Sequence, residues 1–473
     1  MKMPTIPTSK VKAISVAVSV VFVAGCSTFS ADGGMDRVSG LTKERTGQSV
    51  TRSTSINDPA KQQRVDALLA SPLTAESAVQ IALLNNEGLQ VAFAELGVSE
   101  ADFVQAGRMR NPGISFSHLR GGENLEINRS VVFDLLGLLT LPIRSGIEQR
   151  RFEQAKISAA ASAVQLAADT RTAFFDAVAA QQTAKFMGQV QIAAEASAEL
   201  SQRMAKVGNS SKLDRTREQV FYAEATAQVA RSRQDAVASR EQLVRLLGLS
   251  GNAMQVKLPE RLPDLPKAPN DMTDVESLAM AQRLDIQIAK GDADATAKSL
   301  GFTRATGFIN VLDAGYANKS QTGLPRENGY QVSLEIPIFD WGSARTAKAE
   351  ALYMQSVHRA AETAVKARSE VREAYSGYRT KYDLAKHYRD EIVPLRRIIS
   401  DEVLMRYNGM LSSVFELLAD SREQIRSVNA SIEAQRDFWI AETDLQSAIG
   451  GAGSADGGSS RFRMRNTTSQ NKR

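Results

Sequence analysis

Cysteine and histidine are scarce in this chain, which has 1 cysteine and 3 histidines among 473 residues. A single thiol cannot form a disulfide bond within the chain, so the fold must depend on burial, hydrogen bonding or association between chains. The histidines, His118, His358 and His387, lack the spacing of a metal site. Walker A, G-x-S-x-G and H-E-x-x-H motifs are also missing. We therefore expect no enzyme activity, no metal and no cofactor.

Long apolar runs and a strong excess of one charge are missing too. Beyond the amino terminus no apolar run reaches the roughly 18 residues of a transmembrane helix, and the mean hydropathy is −0.25. Removal of residues 1–25 would take away three lysines and no acid, and would lower the formal net charge from +5 to +2. Residues 451–473 predict a flexible basic tail. The composition therefore gives no reason to expect a nucleic-acid partner.

The amino terminus has the features of a secretory signal. Three lysines and no acid precede residues 13–24, which are almost wholly apolar but too few to span a bilayer. The run ends in V-A-G-C, which resembles the bacterial lipobox. We therefore expect residues 1–25 to be a lipoprotein signal peptide, Cys26 to be the lipidation site, and residues 26–64 to be an extended segment. Ser27, in place of aspartate, favours passage of a lipoprotein to the outer membrane.

Proline is missing from two long tracts, between Pro142 and Pro259 and, apart from Pro394, after Pro337. Because proline interrupts helix interiors, the residues 144–207 and 343–407 can each form one helix of about 95 Å at about 1.5 Å per residue. Each tract ends in a short loop, KVGNSS or RYNGMLSS, in which Gly208 or Asn408-Gly409 can adopt the left-handed cap conformation. Each then returns as a second helix of about 40 residues, ending near Gly248 and Ile449.

The second long helix carries an apolar seam with the three- and four-residue spacing of coiled-coil packing and one register slip. Tyrosines at helical spacing are more often part of a core than of a catalytic site. We therefore assign the seam to the core, at Val371, Tyr375, Tyr378, Tyr382, Ala385, Tyr388, Ile392, Leu395 and Ile399.

Candidate strands precede each long helix. YQVSLEIPIF, residues 330–339, alternates apolar and polar side chains, as a strand with two different faces does. Two further strands are predicted around residues 114–118 and 125–133, separated by a Gly-Gly turn, and GFINVLDAGYANKS, residues 307–320, gives a fourth. The strands form two β-hairpins, each between a shorter helix and a very long one.

The order of helix, hairpin, long helix and return helix therefore occurs twice. Asn86 aligns with Arg283 at an offset of 197, and Gly208 with Gly409 at 201. A period near 200 residues indicates a duplicated unit. The predicted domains are a first repeat over residues 65–250, a Pro-rich linker over 251–270, a second repeat over 271–450 and the tail.

This plan resembles the TolC-like outer membrane efflux protein family, in particular the lipidated outer-membrane factors of tripartite efflux pumps. The resemblance covers about residues 65–450. It rests on the motif A-x-x-x-N-x-x-L from Ala82 to Leu89, the tip RYNG from Arg406 to Gly409, and SLEIPIFDWG before the second long helix.

The resemblance implies a mainly α fold with β strands. Three chains would each give four strands to a 12-stranded outer-membrane β-barrel, continued by a long periplasmic α-helical barrel. In that barrel Val332, Leu334 and Ile336 would face lipid, and Ser333 and Glu335 the lumen. The implied partners are a homotrimer, a periplasmic adaptor (membrane fusion) protein, an inner-membrane pump and outer-membrane lipid. The chain would be a lipid-anchored, passive exit duct that extends into the periplasm.

In that family acidic residues ring the periplasmic mouth just beyond the tips. Six residues after the tip glycine, Asp214 matches in the first repeat, whereas Phe415 stands in the second, and Leu418 takes the other acidic position. Glu416 and Asp420 lie four residues apart on one helical face, and they either replace the ring or are merely solvated. The tips that would dock the adaptor are Lys206, Val207, Gly208 and Asn209, and Arg406, Tyr407, Asn408 and Gly409.

Two alternatives use the same features. A type I secretion exit channel would share the fold and carry polypeptide instead of small molecules. A lipid-anchored coiled-coil spacer between envelope layers would explain the long helices and Cys26, but it gives no role to the amphipathic hairpins or to the duplication.

Overall fold

The computed structural model of the protein describes residues 28–53, 58–208, 211–250, 256–309 and 311–451. The chain divides into two compact units. The sheet unit comprises the described parts of Met1–Ala67, Gln80–Ala163 and Ile286–Val365, and the tip unit comprises those of Leu68–Val79, Val164–Asp285 and Lys366–Arg473.

The first half contains helices α1 (Met35–Thr46), α2 (Pro59–Leu69), α3 (Ala75–Asn85) and α4 (Glu87–Ala106), strands β1 (Gly113–Gly121) and β2 (Asn124–Asp134), the long helix α5 (Leu135–Lys206) and the return helix α6 (Lys212–Leu247). The second half contains helices α7 (Val275–Gln282) and α8 (Leu284–Thr306), strands β3 (Leu312–Gln321) and β4 (Glu327–Leu334), helix α9 (Ser343–His387), a π-helical turn (Tyr388–Ile392), helix α10 (Val393–Asn408) and the return helix α11 (Val414–Gly450). None of the helices in the described ranges combines the length and the apolar character needed to cross a membrane.

The two predicted hairpins form one antiparallel sheet in the sheet unit, with strand order β1-β2-β3-β4. The predicted strand over residues 330–339 is wrong at its end, because β4 stops at Leu334. Pro337 has no N–H to continue a ladder, and the N–H of Ile338 instead bonds the carbonyl oxygen of Ile336 at 2.9 Å. Both β1 and β4 are edge strands of this sheet.

The first long helix starts earlier than its proline suggested. It begins at Leu135 and includes Pro142, so the predicted start at residue 144 is wrong. Asp134, the last residue of β2, accepts a hydrogen bond of 2.6 Å from the N–H of Gly137, as an N-cap residue does. A leucine-rich first turn then continues through the proline, and this single helix of 72 residues is about 108 Å long.

The second long helix is interrupted where one continuous helix was predicted. The π-helical turn precedes Pro394, which has no N–H to donate, and the N–H of Val393 bonds the carbonyl of Tyr388 five residues back. The extra residue rotates all later side chains by about 100° around the helix axis. The predicted seam is therefore wrong beyond this turn. Leu395 and Ile399 are exposed, and Arg396 and Ser400 instead contact α11 through Glu423 and Gln424.

Before the π-helical turn the predicted seam is the core of the tip unit. Tyr378 and Tyr382 are 1% and 2% exposed and pack on the buried ring of Phe438. Their hydroxyl groups also hold the Pro-rich linker, a role that the periodicity does not predict. The Tyr382 hydroxyl lies 3.1 and 3.0 Å from the carbonyl oxygens of Pro266 and Lys267.

The aligned residues Asn86 and Arg283 both stand directly before a helix, α4 and α8 respectively, but they act differently. The Asn86 side chain caps α4 by accepting from the N–H of Leu89 at 3.1 Å. The Arg283 guanidinium is 1% exposed and bonds both Asp285 and Glu370 at 2.7 Å. A buried arginine requires such partners, because an unpaired buried charge is strongly destabilising.

Candidate functional site

The two faces of the sheet differ in polarity. Strand alternation and register place mostly apolar side chains on one face, which we call the apolar face. The opposite face is polar or small, apart from Leu119 and Val132, and carries the 3.1 Å ion pair between Lys319 and Glu126. The apolar face is exposed on the edge strands: Tyr330 is 92% and Val332 70% accessible. Its main apolar members are Ile114, Phe116, Leu125, Ile127, Val131, Phe133, Leu312, Tyr316, Tyr330, Val332 and Leu334.

Polar residues interrupt the apolar face from the middle of β2 towards the hairpin turns. Arg129 donates to the side-chain oxygen of Asn318 at 3.2 Å, and the Asn318 amide donates to Asn328 at 2.6 Å. The apolar band therefore lies at the end of the sheet nearer the helices. Beyond β4, Phe339 and Trp341 of the SLEIPIFDWG motif are 99% and 70% exposed.

The first tip connects α5 to α6. Gly208 has a φ of +81°, as expected for a left-handed helix cap. Ser211 caps α6, and its backbone and hydroxyl both bond the Asp214 carboxylate, at 3.4 and 2.7 Å. Asp214 is thus the third residue of a reciprocal capping box. Val207 is 71% exposed, and Asn209 lies outside the described residues.

The second tip connects α10 to α11, and the prediction that Gly409 is its left-handed residue is wrong. Gly409 has a φ of −81°, whereas Met410 has a φ of +60°. The N–H groups of Met410 and Leu411 bond the carbonyl oxygens of Tyr407 and Arg406, which is the Schellman pattern with Met410 at the left-handed position. Each tip has four residues between the end of one helix and the serine that caps the next. The left-handed residue is the second of these four in both tips, and in the second tip that residue is Met410.

The two tips therefore match at an offset of 202 residues, not 201. Met410 corresponds to Gly208, and the cap Ser413 to Ser211. Glu416 then corresponds to Asp214, as the third residue of its helix, and its N–H bonds the Ser413 hydroxyl at 3.3 Å. Phe415 stood at the expected acidic position only because Gly409 was aligned with Gly208.

A second acidic residue follows one turn later in both return helices, at Glu218 and Asp420. Glu218 is 1% exposed and Asp420 8%. Within the described residues, one carboxylate oxygen of each, Oε1 of Glu218 and Oδ2 of Asp420, has no hydrogen-bond partner. Glu218 is not among the residues predicted for the mouth. The pattern S-x-x-[DE]-x-x-x-[DE], at residues 211–218 and again at 413–420, would have identified it.

The Glu218 carboxyl lies between three helices of the tip unit. Its other oxygen accepts from the Ser197 hydroxyl on α5 at 2.9 Å. Arg422 on α11 lies over the Phe221 ring at 5.1 Å from its centroid and 3.7 Å from Glu224. Burial raises the pKa of Glu218, against the opposing effects of the Ser197 hydrogen bond and the Arg422 charge, and the Asp214 charge raises it further.

No protein-family profile matches the sequence, and no curated protein matches it either. Solved structures do match. The outer membrane protein VceC from Vibrio cholerae has a TM-score of 0.68 at 14% identity, over 80% of this chain and 96% of VceC. The MtrE outer membrane channel from Neisseria gonorrhoeae has a TM-score of 0.64 at 17% identity, over 80% of this chain and 89% of MtrE. A membrane protein from Pseudomonas aeruginosa gives 0.69 at 20% identity, over 83% and 94%.

The chain has the fold of TolC-like outer-membrane channels. The resemblance inferred from the sequence is thus confirmed for the fold, which is helical with some strands. The described residues contain no group of three or more His, Cys, Asp or Glu side chains placed to hold a metal ion. Cys26, the predicted lipidation site, lies outside the described residues.

Proposed function

We propose that the chain is the outer-membrane channel of a tripartite efflux system, a passive exit duct supplied by an inner-membrane pump and a periplasmic adaptor. The observation that carries the proposal is the two-faced, four-stranded sheet with two open edges. Open edges leave backbone groups without partners, and lipid cannot satisfy them. One chain is therefore insufficient, and three copies would close a 12-stranded barrel with the apolar faces outward.

Strand length supports insertion of the sheet. The strands have 8 to 11 residues, and a tilted transmembrane strand needs about 9–11. A lumen lined by the polar face would suit hydrated substrates. Phe339 and Trp341, exposed just beyond β4, suit the membrane interface, where aromatic side chains are enriched.

The long helices and the tips support the periplasmic part of the proposal. A helix of 72 residues greatly exceeds the average of about 11–12 in globular proteins, and a duct across the periplasm requires such length. The tips expose apolar side chains, with Met410 at 94% and Leu411 at 83% accessibility. We assign adaptor docking to the two tips, and the repeats to residues 65–250 and 271–450.

The acidic residues behind the tips would line the periplasmic mouth and favour cations, because like charges there repel one another and attract counterions. The corrected alignment supports this assignment, since both repeats carry an acid as the third residue of the return helix. Lipidation at Cys26 would anchor the trimer to the outer membrane.

Planar-bilayer recording of the purified full-length protein tests the proposal. We expect stepwise conductance from a heat-modifiable trimer. The Asp214→Asn, Glu416→Gln, Asp420→Asn variant should conduct with a weaker cation preference. A parent protein that never conducts would contradict the channel. A variant with unchanged selectivity would contradict only the acidic mouth.

A further inference from the structure

The open end of the first hairpin carries a basic cavity that neither the channel nor the tips explain. It has a volume of about 440 Å³ and lies between α5 on one side and the end of α4 with the segment that follows it on the other. Four arginines and two carboxylates line it, which leaves an excess of two positive charges at neutral pH. The arginines are Arg108, Arg110, Arg144 and Arg151, and the carboxylates are Asp102 and Glu148.

Two of these arginines are free to bind a ligand. Arg151 is paired with Glu148 at 2.6 Å, and Arg110 lies 3.7 Å from Asp134 while keeping 78% of its side chain accessible. Within the described ranges of the chain, the guanidinium groups of Arg108 and Arg144 form neither a hydrogen bond nor an ion pair. Guanidinium groups match the geometry of phosphate oxygens and can bind them in a bidentate manner. The cavity therefore offers an anion two unsatisfied cationic groups.

Exposed apolar side chains stand next to these arginines in the sequence, although on α5 they lie on other faces of the helix. Met109, which also lines the cavity, is 40% exposed. The first turns of α5 expose Leu139 to 70% and Ile143 to 46%. Leu139 precedes Arg144 by about 7.5 Å along the helix axis, at about 1.5 Å per residue. A helix that is first apolar and then basic matches the boundary between acyl chains and headgroups.

The cavity also lies at the right end of the sheet. Gly113 pairs with Val132, so the start of β1 and the end of β2 are adjacent. Arg110 precedes β1 by three residues, and its ion-pair partner Asp134 ends β2. This is the end at which the apolar face gives way to helices, and therefore the edge of any membrane that the sheet spans.

We propose that this cavity binds the phosphate headgroup of an anionic membrane phospholipid, whose acyl chains pack on the exposed first turns of α5. The inference rests on the proposed insertion of the sheet into the outer membrane, and names the lipid class recognised at its inner rim. Arg108 and Arg144 hold the phosphate, while Arg110 and Arg151, oriented by Asp134 and Glu148, supply further positive charge.

Native mass spectrometry of the full-length protein in non-ionic detergent micelles tests this site. Phosphatidylglycerol and phosphatidylcholine with identical acyl chains are added separately, and the bound lipids are counted. We expect phosphatidylglycerol to bind about tenfold more tightly than phosphatidylcholine. Both lipids carry an anionic phosphate, but the quaternary ammonium of phosphatidylcholine adds a positive charge that the arginine-rich cavity repels. The preference should decrease as salt is raised, as for any exposed ionic contact.

The Arg108→Gln, Arg144→Gln double variant should lose the headgroup preference, and the Arg108→Lys, Arg144→Lys variant should keep most of it. The matched control is Arg231→Gln, Arg233→Gln, which removes the same charge from exposed arginines of α6. Neither arginine of this control has a partner in the described part of the chain. Retention of the trimer by each variant shows that the fold is intact.

Three results would overturn the lipid site. They are equal binding of both lipids by the parent, an unchanged preference in the glutamine double variant, and displacement of the lipid by millimolar inorganic phosphate, which would indicate a site for free anions. The measurement of lipid binding by native mass spectrometry requires no channel activity. Its failure therefore contradicts the lipid site alone, whereas a parent protein that does not conduct contradicts the proposed function alone.

Discussion

The N–H of Leu411 donates a hydrogen bond of 2.8 Å to the carbonyl oxygen of Arg406, and this bond closes the second tip around Met410. The left-handed conformation costs a residue with a β-carbon about 1–2 kcal/mol, and glycine avoids this cost. Met410 therefore destabilises the second tip, because the hydrogen bonds of this turn require a left-handed conformation at that residue.

We predict that Met410→Gly stabilises the second tip by about 1 kcal/mol, and that Met410→Val destabilises it. Hydrogen exchange of the amides of residues 406–411 measures the effect. Gly409→Ala is the matched control, since a β-carbon there would make only ordinary contacts, the nearest at 3.5 Å from the carbonyl of Met405. A larger loss from Gly409→Ala than from Met410→Val would contradict the assigned turn.

The stability of the first tip should depend on pH through Glu218. Because burial raises the pKa of this carboxyl above its ordinary 4.5, the folded state binds the proton more tightly than the unfolded state does. The stabilisation is fully present below pH 4.5 and is lost as the pH rises through the raised pKa. Glu218→Gln should remove this dependence.

Hydrogen exchange of the first turns of α6 between pH 4 and 8, corrected for intrinsic rates, measures this dependence on pH. The control is Glu195→Gln, which neutralises an exposed glutamate of α5. A parent protein whose tip is equally protected at both ends of the range would show that the buried carboxyl is not linked to stability.

The hydroxyl of Tyr382 should contribute to the attachment of the linker. Tyr382→Phe removes the hydroxyl that the carbonyl oxygens of Pro266 and Lys267 contact, at an expected cost of about 1 kcal/mol in the free energy of unfolding. Denaturant unfolding measures the change. Tyr388→Phe is a matched control, since the Tyr388 hydroxyl has no hydrogen bond within the described ranges, and an equal loss in both variants would refute the specific role of Tyr382.

The apolar face predicts an asymmetry between neighbouring positions of β4. Leu334→Arg places a charge on the lipid-facing side and should cost up to about 2–4 kcal/mol near the membrane midplane. Ser333→Arg alters the opposite face and should be tolerated. Trimer yield on unheated electrophoresis gels measures both, and similar yields would mean that the faces are assigned wrongly.

Cys26 should carry the lipid anchor. Cys26→Ser is expected to abolish metabolic labelling with palmitate and to leave unprocessed precursor, whereas Ser27→Ala should be labelled like the parent. Continued labelling of the Cys26→Ser protein would exclude this attachment site.

The sequence was most informative where one local rule operates over many residues. Alternation in YQVSLEIPIF predicts a strand, and the tyrosine spacing predicts the core up to Tyr388. Single residues were less reliable, because tertiary packing overrides local preference. Pro142 predicts a helix that starts only after it, although the Asp134 cap and the leucine-rich turn start the helix before it. The π-helical turn was also missed, since its one extra residue leaves apolar residues at plausible spacing on both sides.

The tips show the same limit for the candidate site. Glycine is the usual left-handed cap, so the sequence favoured Gly409, but the four-residue loop gives that conformation to Met410. This one-residue error also hid the match between Asp214 and Glu416. The burial of Glu218 and Asp420 could not be predicted, because a charged residue about two turns into a helix is normally solvated.

The two left-handed positions hold different residues, Gly208 and Met410. The two tips are therefore expected to fray to different extents. Gly208 relieves the first tip of a cost that Met410 imposes on the second, and a difference of about 1 kcal/mol corresponds to roughly a fivefold difference in the population of the open form. Thermal opening should therefore begin at the end of α10 and reach the end of α5 later. The two tips share one backbone plan, but heating should open the second tip before the first.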